Sequence, residues 1–161
     1  MRAGSGGTLR VMADRTSSTI TVAAARPTVM GVIADFGAYP EWATGIRSAE
    51  VLAAGPDGRP ERVRFRLDAS VIKDTYVLSY HWDGDTSVRW QLAEAGSVVT
   101  EMSGEYQLAE DAKGTEVRYE LAVGTRVPLG LLKRRAERTI IETALKGLKT
   151  RAESVQGAGA S

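Results

Sequence analysis

The chain has no cysteine in its 161 residues, which excludes a disulfide framework, a thiol nucleophile and a thiolate metal site. It has one histidine, His81, too few for the histidine-rich metal sites, so neither a metal nor a cofactor is expected. Neither sign of charge dominates. Lysine and arginine number 21 against 20 aspartates and glutamates, for a formal net charge of +1. That balance lacks the basic excess of a nucleic-acid binder. No apolar run approaches the ~20 residues needed to span a bilayer. The early "GSGG" lacks a following Gly-Lys-Ser/Thr and a strand–helix context, so it is no phosphate loop. A cytoplasmic protein is the plain reading.

What is present is ordinary globular material, with 43% hydrophobic and 25% charged residues. The length suits one domain with a sizeable core. Residues 1–15 are rich in Gly and Ser and read as a disordered tail, with Met12 an alternative start. Residues 156–161 read as a second tail, leaving one domain at 16–155. "TSSTITVAA" alternates around Ile20 and Val22 and predicts a strand. "RPTVMGVIADF" then predicts a helix, with Pro27 at its start and Gly37 at its end. Next comes "GAYPEWAT", where Pro40 forbids simple continuation and a short second helical turn can follow. Phe36, Tyr39 and Trp42 place three of the ten aromatics within seven residues. Such a cluster marks either a fixed corner against a core or the lip of a pocket.

From Ile46 the period becomes two. "IRSAEVLAAG", "ERVRFRLDA", "DTYVLSYHW", "SVRWQLAE", "VVTEMSGEYQLAE" and "TEVRYELAV" read as strands, with turns at "GPDGRP", "DGD" and "DAKG". Short turns between alternating strands predict an antiparallel meander with one wet face. From Pro128 the period turns helical. Leu132, Ala136, Ile140, Ala144, Leu148 and Ala152 form a stripe that predicts one long amphipathic helix to about Val155. The fold class is α+β: an antiparallel sheet curled around a long C-terminal helix, with two short helices after the first strand.

The strand aromatics share parity with the aliphatic residues. Phe65, Tyr76, Tyr80, Trp82, Trp90, Tyr106 and Tyr119 therefore face the helix, together with Met102. Such a face either packs solid or walls a cavity of a few hundred cubic ångströms. Four of those rings are tyrosines, whose hydroxyls need partners when buried. The candidate ligand-binding set is Trp42, Phe65, Tyr76, Tyr80, Trp90, Met102, Tyr106, Tyr119 and, from the helix stripe, Ile140.

The order strand, "RPTVMGVIADFGAYPEW", meander and long helix resembles the START-like superfamily, also called SRPBCC, helix-grip or birch-pollen-allergen-like. The nearest likeness is to its polyketide cyclase/dehydrase and coenzyme Q-binding types. "GEYQL" and "GTEVRYEL" add to it, and it spans roughly Thr16 to Val155. The resemblance implies a gripped cavity for a hydrophobic small molecule such as a lipid, polyketide or quinone. It places the short helices at one end of that cavity, with Trp42 at its mouth or as a plug, and Phe36 in the core.

Chemistry is sparse. His81 falls on the outward parity, which rejects a nucleophile–His–acid triad. The pairs Glu101/Glu105 and Glu116/Glu120 fall outward too, as do Arg62, Arg64, Arg66, Arg89 and Arg118. Cyclases of the superfamily are thought to use pocket arginines, and none is evident here. Binding without chemistry is favoured. The open alternatives are a cyclase/dehydrase-like enzyme using tyrosine hydroxyls and a partner-binding module. From Leu129 to Val155 the helix carries seven basic against three acidic residues. That excess suits transient contact with an anionic membrane surface.

Overall fold

A computed structural model describes residues 15–68 and 73–160. The tail at 1–14 and the possible start at Met12 lie outside the described residues. The order is β1 (Thr16–Val22), α1 (Arg26–Ala34), a 3-10 turn (Phe36–Ala38), α2 (Tyr39–Trp42), β2 (Ile46–Ala54), β3 (Pro60–Asp68), β4 (Lys73–Asp83), β5 (Ser87–Glu94), β6 (Val99–Asp111), β7 (Gly114–Thr125) and α3 (Leu132–Ala160). The strands form one antiparallel sheet in the order β1-β7-β6-β5-β4-β3-β2. This is the expected α+β helix-grip arrangement.

The long helix differs from expectation at both ends. It starts at Leu132, not Pro128. Gly130 sits at φ 61°, a left-handed conformation open to glycine, and makes a turn in which Leu132 N–H donates to the Leu129 carbonyl at 3.1 Å. At the other end the helix runs through Ala160, past the Val155 boundary and over most of the expected tail. Its last turns have work to do. Ala23 N–H donates to Glu153 at 2.8 Å and Ala25 N–H to Gln156 at 3.1 Å. Ala25 caps α1 without any side-chain bond of its own, so α3 supplies an acceptor there.

Helix α3 lies against β1 and β7 and touches α1 and α2. A buried carboxylate ties it to the sheet. Glu137 accepts from Thr16 Oγ1 at 2.6 Å, Val123 N–H at 2.8 Å and Lys133 Nζ at 2.6 Å. Glu137 is one of the three acidic residues in the helix's charge count, yet it is 1% exposed. Gly147 lets the helix reach α2, since a Cβ there would stand 2.2 Å from the Trp42 carbonyl oxygen. Because α3 hugs the β1–β7 side, the concave face of β3 to β6 is left to aromatic side chains.

Candidate functional site

Cross-strand register aligns the inward side chains in rows. One row runs Tyr80, Trp90, Gly104, Leu121 across β4 to β7. A second pairs Val88, Tyr106 and Tyr119, and Phe65 lies opposite Tyr76. Trp90 spreads over Gly104, where a Cβ would lie 2.3 Å from its ring. The absent side chain is therefore what seats the indole flat against the sheet. Ring contacts continue outward: Trp90–Tyr106 at 5.4 Å, Tyr106–Tyr119 at 4.5 Å and Tyr80–Trp90 at 5.7 Å between centroids.

Between these rings and α3 lies a cavity of about 340 Å³. All nine residues proposed from sequence line it: Trp42, Phe65, Tyr76, Tyr80, Trp90, Met102, Tyr106, Tyr119 and Ile140. Parity therefore brought together one wall from five strands and two helices. Trp42 belongs to the wall and is also packed, with its ring 4.7 Å from Tyr39. Phe36 is fully buried and does not line the cavity. The rim includes Thr44, Asp68 and Thr139, of which Thr44 and Thr139 are exposed.

The sequence reading missed Tyr39, Thr139 and Thr143 as lining residues. The two threonines flank Ile140 and Ala144 at a spacing of four, so the helical stripe contained the signal. Tyr39 was visible only as part of the aromatic cluster.

Polar groups in the wall fall into two kinds. The Tyr39 hydroxyl is spent, donating to the Ile33 carbonyl at 2.5 Å. The hydroxyls of Tyr76, Tyr80, Tyr106 and Tyr119 hydrogen-bond to no described residue, and none is sealed from the cavity as a buried unpaired atom. The Trp42 indole N–H is buried and has no acceptor among the described residues. Burial, and then neighbouring phenols for all but Tyr119, pushes the five tyrosines upward in pKa. They stay neutral O–H donors around neutral pH.

Charge is nearly absent from the lining. Among the described residues Asp68 is its one carboxylate, and no lysine, arginine or histidine of theirs joins it. Arg47 Nη2 lies 3.0 Å from Asp68, and Lys73 Nζ lies 3.9 Å away. The strand arginines face away from the cavity as expected, Arg62 pairing with Glu94 at 2.7 Å and Arg64 with Glu50 at 2.9 Å. His81 is exposed, opposite Arg89 in the register. Of the outward carboxylates only Glu120 departs from a solvated role. It is buried, accepting from Arg118 at 3.0 Å and Arg15 at 3.5 Å. No group of three or more potential metal ligands occurs among the described residues. Nor is any helix among them long and apolar enough to cross a membrane.

The comparisons agree with this geometry. A family model described as polyketide cyclase / dehydrase and lipid transport matches residues 13–153. No curated protein matches the chain. Among solved structures, a START superfamily protein from Mycobacterium smegmatis is similar at 25% identity and a TM-score of 0.77, covering 88% of this chain and 98% of that one. The Zhui aromatase/cyclase from Streptomyces sp. R1128 is similar at 24% identity and a TM-score of 0.70, covering 90% and 97%. A protein from Thermus thermophilus is similar at 21% identity and a TM-score of 0.73, covering 88% and 98%. The latter two likenesses speak to the fold alone.

Proposed function

The chain belongs to the polyketide cyclase / dehydrase and lipid transport family, and we propose that it binds and carries a hydrophobic small molecule bearing oxygen acceptors. The observation behind this reading is the wall itself. Four neutral phenols with no hydrogen-bond partner among the described residues stand in a cavity walled mainly by apolar and aromatic side chains. Apolar walls supply affinity through area removed from water, and a few convergent donors supply orientation. A ligand lacking oxygen would leave those hydroxyls unpaired in a dry space, which costs free energy. The volume of about 340 Å³ sits at the small end of ligand sites. It suits fused rings or one chain better than a two-chain lipid. A lipid, polyketide or quinone of that size satisfies all three conditions.

The second reading is a cyclase/dehydrase-like enzyme. Phenols aimed at a carbonyl would stabilise negative charge developing on its oxygen. Such a reaction also needs a proton acceptor near the reacting carbon. Asp68 is the only carboxylate of the lining among the described residues, and it is tied to Arg47. Binding without turnover is therefore the better-supported reading. Native mass spectrometry of the purified protein tests it. A co-purified hydrophobic ligand of matching size is the expected result. Loss of that ligand on filling the cavity with Leu121→Trp would locate it. Turnover of a poly-β-ketone above the uncatalysed rate would replace the carrier reading with the enzyme.

A further inference from the structure

The cavity is not the only apolar feature that lacks a partner. Between β7 and α3 the chain makes an ordered turn that holds aliphatic side chains in water. Leu131 is 100% exposed, Val127 75% and Leu132 57%. The turn is well anchored. Arg126 N–H donates to the Val98 carbonyl at 2.8 Å and its Nε to the Ser97 carbonyl at 2.9 Å. Thr125 Oγ1 donates to the Val127 carbonyl at 2.6 Å, and Lys133 N–H to the Gly130 carbonyl at 3.2 Å. A hydrogen-bonded turn that presents three aliphatics outward is a surface awaiting a cover.

Charge indicates what covers it. The helix face that continues from Leu131 carries Arg135 and Arg138, at steps of four and then three. Both are exposed, and neither forms an ion pair among the described residues; Arg126, on the turn itself, forms none either. Three other basic residues of the helix are paired, while Lys146 is exposed and forms no ion pair among the described residues. Lys133 pairs with Glu137, Lys149 with Glu153 and Arg151 with Glu41. Three of the unpaired cations, Arg126, Arg135 and Arg138, thus lie on the turn and on the helix face that continues from Leu131.

Position adds a third point. A groove beside the turn is lined by Leu92, Met102, Val123, Leu131, Lys133 and Arg134, among others. Met102 also lines the ligand cavity. One half-buried, flexible side chain is therefore common to both spaces.

We propose that the Arg126–Leu132 turn and the first turns of α3 dock on an anionic bilayer surface. Val127, Leu131 and Leu132 insert among the lipids, Arg126, Arg135 and Arg138 face the headgroups, and cargo passes the Met102 side of the cavity. This rests on the carrier reading but uses residues outside the cavity. It narrows the membrane contact from the whole basic helix to its N-terminal end.

The experiment is co-sedimentation of the full chain with phosphatidylcholine vesicles and with vesicles containing phosphatidylglycerol. Wild type should bind the anionic vesicles at least tenfold more tightly, and added salt should weaken the binding. Arg135→Gln/Arg138→Gln should lower affinity by about 30-fold, at about fivefold per basic residue removed. Leu131→Asp should lower it tenfold or more. Its melting temperature should stay within a degree or two, because the side chain is fully exposed. Titration with a fluorescent hydrophobic probe in vesicle-free buffer keeps the two readings apart. Unchanged probe affinity in Leu131→Asp with lost vesicle binding supports docking. Equal binding to both vesicle types, no binding by wild type, or vesicle binding unaffected by the variants overturns it. A dimer in light scattering that Leu131→Asp dissociates, with no vesicle binding, would identify a second copy as the cover and also overturn it.

Discussion

Gly104→Ala is a one-methyl probe of the cavity floor. A Cβ at this position would stand 2.3 Å from Trp90 Cζ2 and 2.9 Å from the Glu120 carbonyl oxygen. Comfortable carbon contacts begin about 1 Å further out than the first of these. The Glu120 carbonyl is fixed by the β6–β7 register, so the indole must give way. It cannot slide sideways freely, since Tyr80, Tyr106 and Tyr119 hold its edges at 5.7, 5.4 and 5.7 Å between centroids. The open direction is into the cavity. Overpacking of this kind costs about 1–3 kcal/mol. For a domain of this length that lowers the melting temperature by roughly 2–12 °C. The cavity shrinks at the same time, so a probe that fills it should bind several-fold more weakly, while a slim probe changes little. Urea melts read the first effect and fluorescence titration with two probe sizes reads the second. If Gly104→Ala leaves both stability and large-probe affinity at wild-type values, Trp90 does not lie across Gly104, and the floor of the site is wrong.

Three further outcomes are expected. Tyr106→Phe removes a hydroxyl with no partner among the described residues, so stability should change by less than about 1 kcal/mol. Affinity for a carbonyl-bearing probe should fall about 2- to 10-fold, and affinity for a hydrocarbon analogue should not move. Glu137→Ala should cost about 3–5 kcal/mol in a urea melt, because it strips three donors of a buried acceptor. Partial burial pushes the Asp74 carboxyl upward in pKa, but backbone N–H groups of Val99, Val98, Thr75 and Ser97 outweigh it and lower the folded value below the ordinary 3.8. The stabilisation is then complete above the unfolded pKa and is lost as pH falls through the lower folded one. Melts from about pH 2 to 6 should show that slope, and Asp74→Asn should flatten it.

Much of this architecture was legible because period-two alternation is a direct statement about which side of a sheet a residue faces. "ERVRFRLDA" could pair only with Val63, Phe65 and Leu67 inward, and they are buried. Parity does not contain register, however. That Trp90 would meet Gly104 depends on where β5 stops against β6, so the reason for the glycine was hidden. Glu137 shows the same limit on a helix. Its phase lies next to the apolar stripe, where a charge ordinarily snorkels to solvent. Only the arrival of Thr16 and Val123 from distant strands turns it into a buried anchor. The C-terminal boundary failed for a similar reason. "QGAGAS" has weak helical propensity, but Gln156 reaches Ala25 across the fold. In each miss a tertiary partner overrode a local preference.

The tyrosines carry the argument about function one step further. Two roles are open to a phenol in such a wall: proton donor in a hydrogen bond, or base after losing its proton. Burial raises all five tyrosines and so closes the second role near neutral pH. The remaining role serves a carrier and a catalyst alike, since a donor that orients a ligand oxygen also polarises it. What separates the two is the proton acceptor, and the described lining residues offer one carboxylate, at the rim. A ligand whose acidic carbon lay deep among the rings would find donors on its oxygens and, among the described residues, no carboxylate or imidazole to take its proton. Among the described residues, Asp68, freed from Arg47, is the carboxylate that a reacting carbon at the rim would meet. Any activity found should fall with Asp68→Asn while ligand binding in the depth of the cavity persists.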